Sequence, residues 1–197
     1  MPGDITSLVA SEAGHFVLES GYHASMWLDL ETLFLQPARI DPLAADLASR
    51  LSKHAPELVC GPLVEGAFVA LLVARELCVP FAYTERTARR GDELYPFDYE
   101  LPRVLRPHLG GKRVAVVNDV ISAGSAVRGT AEAVEAAGGT LIAIGALFIL
   151  GDWTRRFAGE KKIAVEALAE TKFDLWKPEN CPLCERAIPL QRRIQTT

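Results

Sequence analysis

The run Val114-Ala115-Val116-Val117-Asn118-Asp119-Val120-Ile121-Ser122-Ala123-Gly124-Ser125-Ala126 constrains this chain more than any other segment. It opens as a buried-strand pattern, Arg113 to Val117, and continues as a loop from Asn118 to Ala126. A helix follows from Ala126 to Ala137, with Val127, Ala131 and Val134 on one face and a stop at Gly138-Gly139. Small residues fill the turn between strand and helix. Their backbone N–H groups can point inward and cradle a phosphate at the positive end of the helix. The Ser122 and Ser125 hydroxyls add two donors, and Gly124 lets backbone approach an anion closely. Asp119, just past the strand, can accept hydrogen bonds from vicinal sugar hydroxyls. A plainer reading is a tight turn in which Ser125 only caps the helix.

Around this segment, strand and helix patterns alternate. Asp41-Pro42 opens a helix with Leu43, Leu47 and Leu51 in one stripe, ending near His54. A strand from Glu57 to Cys60 leads through the loop Gly61-Pro62-Leu63-Val64-Glu65-Gly66 into a helix from Ala67 to Leu77. Val79 to Tyr83 and Leu141 to Leu150 read as further strands. This alternation predicts an α/β fold with a central parallel sheet flanked by helices. His15 to Leu35 reads as a small N-terminal cap of short strands with a turn at Ser20-Gly21. Thr84 to Pro102 is a long charged connection, either a functional loop or a loop carrying a small hairpin. The tail contains a helical stretch, Glu160 to Ala169. The expected organisation is one domain over 1–197: cap 1–38, core 39–157 and tail 158–197.

Composition narrows the function classes. The 25 acidic and 21 basic side chains leave a net charge of −4, a poor balance for general nucleic-acid binding. The longest apolar run, Leu141 to Leu150, falls short of the roughly 18 residues that a membrane span needs. The start Met1-Pro2-Gly3-Asp4 lacks the features of a signal peptide. Without a targeting signal, the four cysteines suggest reduced thiols and a cytoplasmic protein.

The strand, acidic residue, two apolar residues and Ser-Ala-Gly-Ser resemble the phosphoribosyl pyrophosphate (PRPP) signature of type I phosphoribosyltransferases, especially the orotate group. Gly14-His15-Phe16-Val17-Leu18-Glu19-Ser20-Gly21 resembles that group's N-terminal Gly-x-Phe-x-Leu-Lys-Ser-Gly. Gly61 to Gly66 resembles its pyrophosphate loop, Gly-Pro-x-x-Lys-Gly. Pro80-Phe81-Ala82-Tyr83 resembles the strand that leads to the catalytic loop. The match runs in order over roughly residues 10 to 150.

The resemblance implies transfer of a phosphoribosyl group between PRPP and a nucleobase by a homodimeric glycosyltransferase with Mg²⁺. It implies that Ser122, Ala123, Gly124, Ser125 and Ala126 bind the 5′-phosphate, and that Asn118 and Asp119 bind the ribose hydroxyls. Val64, Glu65 and Gly66 would border the diphosphate, with Glu65 as an Mg²⁺ ligand. Asp119, Arg86 and Arg89 would be the catalytic groups. Trp27, Leu28 and Trp153 would lie near the base. The expected ligands are PRPP or a nucleoside 5′-monophosphate and a small-molecule base.

Departures from the family pattern run in one direction. Asn118 replaces the first of two acidic residues. Glu19, Glu65 and Glu85 stand where basic residues are expected, the loop lacks a histidine, and Trp153 stands where an arginine would grip the orotate carboxylate. Lysine-to-glutamate reversals weaken attraction for a diphosphate. An uncharged acceptor base suits the missing arginine. Two alternatives follow: a non-catalytic nucleotide or ribose-5-phosphate binding and regulatory protein, and an enzyme acting on a ribose phosphate without diphosphate.

Cys181-Pro182-Leu183-Cys184 has the spacing of half a zinc site. The remaining Cys60, Cys78 and four histidines (15, 23, 54 and 108) form no second paired motif. Two chains could combine their pairs around Zn²⁺; a disulfide or redox pair, or a turn with free thiols, are the other readings.

Overall fold

Alternate residues along the central strands enter two different cores. In the computed structural model, which describes residues 9–88 and 94–193, β3 (Leu58–Pro62) sends Val59 to one side and Leu58 and Cys60 to the other. β6 (Arg113–Ile121) divides Ala115 and Val117 from Val114 and Val116 in the same way. This period-two division, with apolar residues on both faces, is what a sheet covered on both sides requires. The six-stranded sheet has the order β5-β4-β3-β6-β7-β8. Here β4 is Phe81–Ala88, β5 Phe97–Glu100, β7 Thr140–Leu150 and β8 Ala164–Thr171. Neighbours pair in parallel except β5, which runs antiparallel to β4.

After the four-residue α1 (Glu31–Phe34), α2 (Pro37–Ser52) and α3 (Glu65–Leu77) cover one face through Leu43, Leu47, Val69 and Val73. On the other face α4 (Ser125–Ala136) contributes Val127, Ala131 and Val134, and Trp153 and Phe157 of α5 (Trp153–Lys161) pack against its core. A second sheet has the order β10-β1-β2-β9. β1 (Ala10–Val17) and β2 (His23–Asp29) form a hairpin turning at Ser20-Gly21. β9 (Leu175–Trp176) and β10 (Gln191–Arg192) return from the tail to flank it. Between them lies α6 (Pro182–Glu185), a single helical turn. No helix among the described residues is long and apolar enough to cross a membrane.

Three expectations need correction. The first long helix begins at Pro37, not Asp41, and Pro42 lies inside it. Proline suits the first helical position, and Asp41 instead pairs with Arg75 of α3 at 2.9 Å. The stretch Glu160 to Ala169 is not one helix: α5 ends at Lys161, its cap Lys162 adopts a left-handed conformation (φ 56°), and β8 follows along the sheet edge. The strand before the phosphate loop extends to Ile121 rather than ending at Val117, because β7 continues to pair with it. Of the two readings of the charged connection after Tyr83, the structure bears out the small hairpin, seen as the antiparallel pair β4–β5.

Candidate active site

The parallel strands β3, β6 and β7 end at one rim, and a cavity of about 780 Å³ opens there beneath the β1–β2 hairpin. Ligands gather at such carboxyl ends because the loops diverge and helix N-termini point inward. Asn118, Asp119, Ser122, Gly124, Ser125 and Ala126 line one wall. Gly124 precedes α4 with φ 78°, and no side chain caps that helix. The amides of its first turn are therefore left for a ligand. Ala123 is buried behind the wall.

Two glycines allow backbone to pack tightly. A methyl group on Gly124 would meet the Trp153 ring at 2.1 Å. Trp153 thus supports the phosphate loop from behind, stacking on Phe157 with centroids 4.8 Å apart. It is not among the residues lining the cavity, so its position differs from the expected base contact. Gly66 opens α3 against Asn118, whose Oδ1 would lie 2.0 Å from an added methyl. Asn118 donates through Nδ2 to the Val120 carbonyl at 2.7 Å, which braces the turn.

Val64, Glu65 and Gly66 line the cavity next to Asn118, and Trp27 and Leu28 approach from the hairpin. The Leu63–Val64 peptide is cis. Arg86 also faces the cavity, but it is engaged: it donates to Glu19 at 3.1 Å and lies over the Phe97 ring at 4.4 Å. Tyr99 donates its hydroxyl to the other oxygen of Glu19. Glu19, found where a lysine is expected, is therefore matched by Arg86. Arg89 lies outside the described residues.

Asp119 is buried at the end of β6. Burial pushes its carboxyl up to about 7, and the negative charges of Glu65 and Glu19 push in the same direction. Hydrogen bonds from backbone amides oppose the shift. Several lining residues had no motif to reveal them. Asp29, Glu31, Tyr99 and Arg193 reach the cavity through hairpin pairing, the β4–β5 strand pair and the returning tail. Arg193 donates to Glu12 and lies over Phe16.

Cys181 and Cys184 sit far from this chemistry in the chain but beside the hairpin in space. His15 and His23 face them, and all four ligand atoms lie within 4.8 Å of one another. The second pair comes from a hairpin rather than from a contiguous motif. His23 pairs with Val17, and His15 lies two residues further along β1.

A family model for the phosphoribosyl transferase domain matches residues 33–172. The orotate phosphoribosyltransferase of Desulforamulus reducens is 31% identical over 191 residues, 93% of this chain and 90% of that protein. The Thermotoga maritima orotate phosphoribosyltransferase is 30% identical over 186 residues, covering 91% and 89%. The crystal structure of orotate phosphoribosyltransferase from Aeropyrum pernix shares the fold, with a TM-score of 0.60 at 23% identity, covering 82% and 88%. The chain belongs to the phosphoribosyltransferase family. Its activity is that of a phosphoribosyltransferase, within the glycosyltransferases.

Proposed function

We propose that this enzyme transfers the 5-phosphoribosyl group between PRPP and an uncharged nucleobase. The observation that carries this reading is the meeting of two uncapped helix starts, at Ser125 and Glu65, with buried Asp119 in one cavity. The 5′-phosphate accepts hydrogen bonds from the Ser122–Ala126 backbone and from the Ser122 and Ser125 hydroxyls. Asp119 accepts hydrogen bonds from the ribose hydroxyls. Its negative charge then lies near the ring, where positive charge develops as the C1–oxygen bond breaks. Asn118 positions the turn through its bond to Val120. Val64, Glu65 and Gly66 border the departing diphosphate. The attacking base nitrogen is held beneath Trp27 and Leu28, so that both partners start close together. Arg86 acts through Glu19 at the rim, and Arg89 is assigned to the leaving group.

Glu65 and Asp119 both line the cavity, and their carboxylates would supply oxygen donors of the kind that suit Mg²⁺. Among the described residues, the two guanidiniums facing the cavity, Arg86 and Arg193, are already paired with glutamates. When bound, Mg²⁺ neutralises the diphosphate and compensates for the lysine missing at position 65. The acidic lining, which includes Glu19, Asp29, Glu31, Glu65 and Glu85, favours a base without a carboxylate. Exposed Phe68 and Leu71 lie three positions apart on one face of α3 and support a homodimer, which sedimentation velocity would detect.

A base panel tests the assignment. Pyrophosphate release from PRPP is followed with Mg²⁺ and, in turn, uracil, orotate, adenine, guanine and hypoxanthine. Turnover with one of the uncharged bases, at least 10-fold above orotate in kcat/KM, is the expected result. Preference for orotate would overturn the acceptor assignment, and no release with any base would overturn transfer from PRPP.

A further inference from the structure

We propose that His15, His23, Cys181 and Cys184 form a structural Zn²⁺ site that fastens the C-terminal tail to the hairpin roofing the active site. Four donors with Cys₂His₂ chemistry complete a tetrahedral shell and leave no open position, the pattern of structural rather than catalytic zinc.

The geometry fits that shell. Zinc–sulfur bonds of about 2.3 Å and zinc–nitrogen bonds of about 2.0 Å place tetrahedral ligand atoms roughly 3.3 to 3.8 Å apart. His15 Nε2 lies 3.1 Å from His23 Nδ1. Cys181 Sγ lies 3.4 Å from His15 Nε2, and Cys184 Sγ lies 3.7 Å from it and 3.3 Å from His23 Nδ1. Neither thiol is in a disulfide.

A second contact sets the donor atom. His15 Nδ1 lies 2.8 Å from the Ile188 carbonyl, which can only accept, so Nδ1 carries the ring hydrogen. The lone pair of neutral His15 is then on Nε2, facing the other three ligands. A backbone carbonyl orienting a histidine in this way is the usual outer shell of a metal site. Cys181 is the N-cap of α6 and Cys184 lies within its single turn, three positions on, which brings both sulfurs to one side. His15, His23 and Cys181 are buried, while Cys184 is exposed and gives the ion a way in.

The small sheet also has a need for such a site. Among the described residues, the strand pairing between tail and hairpin is limited to the two-residue strands β9 and β10. The two main apolar cores belong to the large sheet. Small units with little apolar burial commonly rely on a metal or disulfide for stability. Binding is an ion exchange: two thiols each release a proton, two neutral imidazoles donate lone pairs, and the bound Zn²⁺ site is neutral overall.

The test uses untagged full-length protein purified without chelators in a thiol reductant. Elemental analysis by mass spectrometry is expected to find one zinc per chain. Protein stripped by chelation and titrated with Co²⁺ is expected to take up one equivalent with the intense visible bands of tetrahedral, thiolate-ligated cobalt, which Zn²⁺ then displaces. Stripping is expected to lower the melting temperature by roughly 10 °C, restored by Zn²⁺. Cys184→Ser is expected to weaken Co²⁺ binding at least 100-fold. The cobalt spectrum of the unaltered chain decides the matter even if that variant misfolds. Octahedral bands only, or no stoichiometric uptake by reduced protein, would overturn the proposal.

Discussion

Along β6, Val114 and Val116 disappear into one apolar core while Ala115 and Val117 disappear into another. Along β1, Ala10 to Ala13 are exposed, and burial begins at His15 and Phe16. The large sheet is held by apolar packing on both faces, which makes the loops at its rim stiff. The hairpin and tail are held largely by polar contacts: the histidine–cysteine cluster, Arg86 with Glu19, and the Tyr95 amide donating to the Ser20 carbonyl at 2.8 Å. The cavity lies between these two regions. Its ribose-phosphate wall belongs to the packed sheet, and its roof belongs to the polar hairpin. A rigid wall can position the phosphate, while a polar roof can vary with the acceptor.

That contrast predicts the largest losses on the packed side. Gly124→Ala adds a methyl group where the ring of Trp153 already lies and where φ is 78°. We expect about 3 kcal/mol of destabilisation, read by denaturant unfolding, and loss of PRPP binding by calorimetry. An effect below about 1 kcal/mol would show that the loop is not supported by Trp153.

Asp119→Asn is expected to lower kcat/KM by roughly 100-fold through loss of the charge beside the ribose. It also carries a pH signature. The carboxyl is at about 7 in the folded protein against 3.8 as its ordinary value. Burial thus favours the protonated form. The associated stability is fully present below the unfolded value and is lost as pH rises through about 7. Without ligand, Asp119→Asn is therefore expected to be more stable than the natural chain at pH 8, by up to about 4 kcal/mol, with the gap closing toward acid. Equal stability across this range would contradict a buried, strained carboxylate.

Glu65→Lys restores the cation expected beside a diphosphate. PRPP affinity in the absence of Mg²⁺ should rise about 10-fold, and the titration of Asp119 should move down, because Glu65 is one of the charges raising it. Unchanged Mg²⁺ dependence would place Glu65 away from the diphosphate. The smallest effect is expected on the roof: Arg193→Ala removes a half-exposed ion pair with Glu12 and should cost no more than about 1 kcal/mol. A loss comparable to Gly124→Ala would erase the distinction between the two regions.

The legibility of the chain follows the same division. The large sheet and its phosphate loop can be read from local pattern, because apolar periodicity and small residues at a strand-to-helix turn are short-range signals. Val114 to Ala126 shows both in one stretch. The roof depends on contacts between distant segments. His15 and His23 meet Cys181 and Cys184 only because β9 and β10 return to the hairpin, and no spacing within either segment reveals it. Arg86 reads as a free cation until Glu19 is found beside it. Trp153 reads as a base platform until Gly124 is seen to lie directly against its ring. β8 mimics a helix because Ala, Val and Leu recur between glutamates, and only the left-handed Lys162 separates it from α5.

The most direct test of the central claim is isothermal titration of PRPP into the full chain, with and without Mg²⁺. We predict one site per chain, micromolar affinity with Mg²⁺, and at least 10-fold weaker binding without it. Absence of PRPP binding in the presence of Mg²⁺ would contradict the assignment of this cavity to phosphoribosyl transfer.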